Sequence, residues 1–235
     1  MVWCLFGFAL VAPASAGQFS VTPVHIYMSP KDRAVAVTIT NEGDDELVMQ
    51  SDLYLWKQKA DGQDDLTLTE DLFLSPPIIK LAPKARQVVR LARVVRASLS
   101  EQLTYRLIIR EIPEARLPTK NVQLQIALAF SLPVFISPPD AKSKLTCKAE
   151  RVKADVVKAT CENSGNAHTR PASLQLNNKA GEKIASDDVG AYILPGVTRG
   201  FELKRKEGKI PAGAATLQVS FADGTNENYD VIIAE

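Results

Sequence analysis

Residues 121–135 read NVQLQIALAFSLPVF, and the reading of this stretch decides the fold. Val122, Leu124, Ile126, Leu128, Phe130 and Leu132 hold the even positions and are large and apolar. Gln123, Gln125, Ala127, Ala129, Ser131 and Pro133 hold the odd positions and are small or polar. Side chains alternate between the two faces of a strand, whereas a helix repeats every 3.6 residues, so this strict alternation predicts a β-strand. The strand is long beside the usual length of about 5–6 residues. Its even row can be the inner face of its own domain, or a face offered to another protein. An exposed strand this apolar would aggregate unless a partner covered it.

The same period recurs on both sides. Residues 34–40 (AVAVTIT), 47–57, 87–94 and 104–112 alternate, and residues 19–28 begin extended and carry Pro23. Turn residues separate them at Asn41-Glu42-Gly43-Asp44, Asp61-Gly62, Ser75-Pro76-Pro77, Ala82-Pro83, Pro113 and Pro118. About seven short strands without a helical period predict an immunoglobulin-like sandwich. Ser137-Pro138-Pro139-Asp140-Ala141-Lys142 breaks the pattern, and a proline-rich break is where one domain gives way to the next. Six further strand-like segments follow, at 144–150, 155–162, 171–177, 200–203, 216–221 and 228–233. The expectation is an all-β chain of two sandwich domains, residues 17–136 and 143–235, joined by a linker at 137–142.

Residues 1–16 are uncharged and apolar and end in Ala14-Ser15-Ala16. That reads as a secretory signal peptide cut before Gly17. It is too short to span a membrane, which takes about 20 residues. Export leaves Cys147 and Cys161 as the cysteines of the mature chain. An even pair in an exported protein predicts a disulfide, worth about 3 kcal/mol for so short a loop. A metal pair is the poorer reading, because no histidine or further cysteine stands nearby. With 46% hydrophobic residues, 23% charged residues and a net charge of +1, the composition is that of a soluble globular protein. Such a balance offers no argument for nucleic acid as a partner.

Chemistry-bearing motifs are scarce. The histidines are His25 and His168. No nucleophile elbow, phosphate loop, HExxH or CxxC occurs. Carboxylates such as Asp44, Asp45, Asp64 and Asp65 fall in turns, and His168 follows a turn and reads as a polar surface residue. Neither an enzyme, nor a cofactor, nor a metal site is expected.

Several short motifs occur in order: Val37-Thr38-Ile39-Thr40-Asn41, Ser75-Pro76-Pro77, Val89-Arg90-Leu91, Tyr105-Arg106-Leu107, Arg110-Glu111-Ile112-Pro113, then the long strand closing on Leu132-Pro133-Val134-Phe135. Glu162-Asn163-Ser164-Gly165-Asn166-Ala167-His168 follows in the second block. In this set the chain resembles the periplasmic pilus-assembly chaperones of the chaperone–usher pathway, in their divergent, archaic-like branch. The resemblance implies two immunoglobulin-like domains set in an L with a cleft between them. It also implies fimbrial subunits and an outer-membrane usher as partners. The subunit's sandwich lacks a strand, the chaperone lends its own, and a neighbouring subunit later replaces it. The lent row would be Val122, Leu124, Ile126, Leu128 and Phe130. An exposed row of this kind would also let free chains cap one another.

The resemblance further implies a cleft that holds the subunit's C-terminal carboxylate on two basic residues. Their aligned positions carry His25 and Pro133 instead. Arg106 is the expected substitute. It shares a strand face with Ile108 and Arg110, and antiparallel pairing with the last strand sets Arg106 beside the linker and Arg110 toward the far end. His25 is expected to assist. Pro133 lacks an N–H, so the ladder is expected to break there. The competing reading is a secreted β-sandwich adhesin or structural subunit. A hydrolase would need a nucleophile beside His25 or His168.

Overall fold

A computed structural model describes residues 18–59, 61–94, 99–113 and 126–235, and these form strands and loops without a helix. The first domain contains β1 (Phe19–Thr22), β2 (Ile26–Met28), β3 (Ala34–Asn41), β4 (Leu47–Gln58), β5 (Asp64–Leu68), β6 (Leu72–Ser75), β7 (Ile78–Leu81), β8 (Arg86–Arg93), β9 (Leu103–Glu111) and β10 (Ala129–Ile136). One sheet runs β1-β3-β8-β6; the facing sheet runs β2-β10-β9-β4-β5, with β7 also on β4. Alternation buries one side of strands such as β3, β4 and β8. Val37, Ile39, Val89 and Leu91 face Met49, Leu107, Ile109 and Val134 across the core.

Residues 19–28 form two strands, not one. β1 pairs antiparallel with β3, and β2 pairs parallel with β10 in the other sheet. Pro23 lies between them, and a residue without an N–H interrupts a ladder where the chain changes sheets.

The second domain contains β11 (Leu145–Lys153), β12 (Val156–Asn163), β13 (Pro171–Asn178), β14 (Lys183–Asp188), β15 (Thr198–Lys204), β16 (Gly213–Phe221) and β17 (Asn226–Ile233). They form one sheet, β11-β12-β15-β14-β13-β16-β17, whose halves meet at the pair Ser186↔Lys204. The sheet folds over its own core. The Tyr229 hydroxyl donates to the Leu145 carbonyl at 3.0 Å, tying the last strand to the first. Cys147 and Cys161 face each other on β11 and β12 and form the expected disulfide.

Each domain uses the same polar plug. Asn41 and Asn163 end β3 and β12, are fully buried, and are each followed two residues later by glycine. Asn163 Nδ2 donates to the carbonyls of Ala167 (2.8 Å) and Ile193 (3.1 Å), while Oδ1 accepts from the amides of Gly165 and Lys144, both at 3.1 Å. Asn41 Nδ2 donates to Asp45 (2.7 Å) and Ala82 (3.1 Å), and Oδ1 accepts from Gly43 at 3.0 Å. Gly165 has no alternative, since a Cβ there would stand 2.3 Å from the Lys142 carbonyl.

The long strand departs from expectation in two respects. The regular strand starts at Ala129 and runs to Ile136, and residues 114–125 lie outside the described residues. The ladder does not break at Pro133. Pairing with β9 continues through Pro133↔Arg106 to Ile136↔Leu103. A proline removes one donor, and pairing on both sides of it keeps the strand in register.

Candidate functional site

Val122 and Leu124 fall outside the described residues. The rest of the even row divides. Ile126 and Leu128 are 49% and 36% exposed, whereas Leu132 is 3% exposed in the domain core. Phe130 stands at the boundary, its ring edge-on to Phe19 at 4.8 Å. On one side, Leu128 to Ile136 is held by β9, beginning with the Glu111 amide on the Leu128 carbonyl at 2.9 Å. On the other side, β2 pairs only with Val134, Phe135 and Ile136. Among the described residues, β10 therefore has an open edge from Ala129 to Pro133, continuous with two exposed apolar side chains.

Past that edge, the strand enters the junction between the domains. Trp56 on β4 and Phe135 on β10 belong to the second domain's core cluster although their strands lie in the first. Arg106 lies over Trp56, its Cζ 3.7 Å from the ring centroid and 5.5 Å from that of Tyr192. Nη2 stands 3.8 Å from Asp64 Oδ2, and the side chain is 14% exposed. Burial pulls its pKa down and the Asp64 charge pushes it back. Trp56 Nε1 is buried without an acceptor. Arg110 is placed differently. It pairs with Asp52 at 3.2 Å and donates to the Tyr54 hydroxyl at 3.2 Å, away from the junction.

His25, in the loop between β1 and β2, meets the second domain directly. Its Nε2 lies 3.3 Å from Arg170 Nη1. A guanidinium has donors only, so His25 accepts. Arg170 also donates to the Gly190 carbonyl at 3.1 Å, and its Cζ lies 4.9 Å from the Tyr192 ring centroid.

Residues 18–142 match the family model described as "Pili and flagellar-assembly chaperone, PapD N-terminal domain". The chain belongs to this chaperone family. No curated protein matches it in sequence. A chain of the CsuC–CsuE chaperone–tip subunit complex from the archaic Csu pili of Acinetobacter baumannii superposes with a TM-score of 0.67 at 19% identity, covering 93% of this chain and all of that one. The Escherichia coli chaperone DraB gives 0.59 at 17%, covering 95% and 98%. The Salmonella enterica SafA–SafB pilin–chaperone complex gives 0.59 at 13%, covering 94% and 98%. At these identities the likeness is one of fold.

The two domains of this chaperone are clasped by side chains that the sequence reading missed. Gln58 Nε2 donates to the Tyr192 carbonyl (3.1 Å), and its Oε1 accepts from the Leu194 amide (3.0 Å). Gln102 Oε1 accepts from the His168 amide at 2.9 Å and lies 2.7 Å from His168 Nδ1. An amide oxygen only accepts, so Nδ1 carries the proton. His168 is not the solvated surface residue its turn suggests. Its ring stacks on Phe135 at 3.7 Å, and burial, aided by the positive charge of Arg170, lowers its pKa to about 4. Arg170 and Tyr192 went unread because neither lies in an alternating pattern. They meet only because Thr169 and Ile193 form a bridge between distant loops.

Proposed function

We propose that this chain is a periplasmic chaperone that captures fimbrial subunits by lending them a strand and hands them to an outer-membrane usher. The observation that carries it is the open edge of β10 running into exposed Ile126 and Leu128. An added strand gains main-chain hydrogen bonds, and alternate side chains fill its pockets. Val122, Leu124, Ile126, Leu128 and Phe130 form the donated row, with Phe130 at its end against Phe19. Each such side chain, once buried, contributes about 1.5–3 kcal/mol before ordering costs.

Residues 1–16 direct export, residues 17–136 and 143–235 are the two domains, and residues 137–142 link them. The chain acts without catalysis or cofactor. Arg106, assisted by His25, receives the subunit's terminal carboxylate, since a charge taken out of water needs an ionic partner. The CsuC and SafB structures each hold a chaperone together with a subunit, which favours this reading over a free-standing adhesin.

Co-expression with fimbrial subunits encoded beside this chain tests the proposal. A soluble one-to-one complex is expected. Subunits equally soluble without the chain would overturn it.

A further inference from the structure

The whole chain carries a net charge of +1, but one end of the second domain departs from that average. Around the β11–β12 turn (151–155) and the β15–β16 loop (204–211) stand Arg151, Lys153, Lys204, Arg205, Lys206 and Lys209 against Asp155 and Glu207, a net of +4. The two segments are bolted together. The Arg205 amide donates to the Asp155 carbonyl at 2.9 Å, and the Ile210 amide to the Ala154 carbonyl at 2.8 Å. Arg151 donates from Nε to the Ala234 carbonyl and from Nη1 to the Ile210 carbonyl, both at 2.8 Å. Arg205 closes its own loop on the carbonyls of Glu207 (2.8 Å) and Lys209 (2.9 Å). The arginines thus build a platform. Lys153, Lys204, Lys206 and Lys209 on it are exposed, and none has a carboxylate within ion-pair distance among the described residues.

Val152 gives the platform an apolar tip. Arg151 pairs with Val157 and Lys153 with Val156, so Val152 is the extra residue of a bulge. A bulge re-aims a side chain, and Val152 stands 50% exposed between two cations. The groove beside it is lined by Lys153, Lys209, Ile210 and Pro211, with Glu235 as its one carboxylate side chain. The lysines offer compact charges on flexible stems, which suit a diffuse negative field, and the arginine forks that would grip single carboxylates are engaged on backbone carbonyls. Cations around an exposed apolar side chain fit a surface whose head groups are acidic and whose interior is apolar.

We infer that this platform seats the chain on an anionic lipid surface, the four lysines against phospholipid phosphates and Val152 at the acyl boundary. The inference goes beyond the strand-lending reading and does not depend on it. The Leu145↔Asn163 end of β11 and β12 lies at the domain junction, where the Gln102 amide donates to the Asn166 carbonyl at 2.9 Å. The platform lies at the other end of the 9-residue β11, about 26 Å along the strand. A chain seated there leaves the open edge of β10 free.

The test is co-sedimentation of the purified full chain with phosphatidylcholine vesicles, pure or with a third of the lipid replaced by phosphatidylglycerol. Binding is expected to the acidic vesicles alone and should vanish at about 0.5 M salt. Replacing Lys153, Lys206 and Lys209 together by Gln should weaken it about a hundredfold, and Val152→Ser about tenfold. Circular dichroism melts check that both variants stay folded. Ile126→Asp, which alters the exposed apolar row instead, should bind vesicles like the wild type. Equal binding to neutral vesicles, or unchanged binding by the triple lysine variant, would overturn the inference. So would vesicle binding that Ile126→Asp abolishes, since the apolar row would then be what adheres. Displacement by inorganic phosphate at matched ionic strength would make the platform a free-phosphate site, and binding to poly-glutamate but not to acidic vesicles would make it a site for an acidic protein; either result sinks the lipid assignment.

Discussion

Asn163 shows how much of this fold rests on single side chains. It is fully buried, and its amide serves four backbone groups from three segments. A buried backbone group left unpaired costs about 1–3 kcal/mol. Asn163→Ala should therefore lower the second domain's stability by about 3 kcal/mol or more, measured by urea denaturation. A loss below about 1 kcal/mol would mean that water replaces the side chain. The arginines on β9 differ in the same residue-level way. Arg110 Nη2 pairs inside its own domain with Asp52 and the Tyr54 hydroxyl, whereas Arg106 faces the junction. Arg106→Ala should weaken subunit capture about tenfold and Arg110→Ala less than about twofold, read by titration calorimetry. Equal losses would reject the anchor at Arg106.

At the scale of elements, period-two alternation made the main strands legible. β3, β8, β9 and β12 lie where the sequence pattern predicts them, because each buries one face against a single core, and β4 does so as far as Leu53 before Trp56 reaches the second core. β5 was illegible for the converse reason, since all its side chains are exposed and nothing in it alternates between core and water. β10 was legible as a strand but not in its ends. From Val134 onward both faces are buried, one in each domain's core, so alternation stops reporting which side is inside. Before Ala129, Ile126 and Leu128 stand exposed. That difference makes a charge tolerable at one end only. Ile126→Asp should abolish subunit capture while the melting temperature of the free chain stays within about 2 °C, since surface substitutions cost within about 0.5 kcal/mol. A large drop in melting temperature would show that Ile126 serves its own domain's core.

For the whole molecule, the junction decides whether two sandwiches behave as one body. Composition and pattern predicted two domains but said nothing of the clasp, because Gln102 and His168, 66 residues apart, meet only after both domains are formed. The clasp is pH-sensitive with a definite sign. His168 is packed by Phe135, Tyr27 and Tyr192, bonded by Gln102, and exposed to the positive charge of Arg170, with no carboxylate partner among the described residues to favour its charged form. Its pKa falls to about 4 in the folded chain, against about 6.5 when unfolded. The neutral ring is thus the one that fits. Its contribution is complete above about pH 6.5, declines as the pH falls toward 4, and amounts to about 3 kcal/mol over that window. His168→Phe keeps an aromatic ring on Phe135 but cannot titrate. Urea denaturation of both proteins from pH 7.5 to 4.5 should show the wild type losing stability relative to the variant, by about 1.4 kcal/mol per pH unit in the steep part. Carboxylates common to both proteins cancel in that difference. Parallel curves would mean that the protonated ring is accommodated at the junction, and that the two domains are not held by a neutral His168.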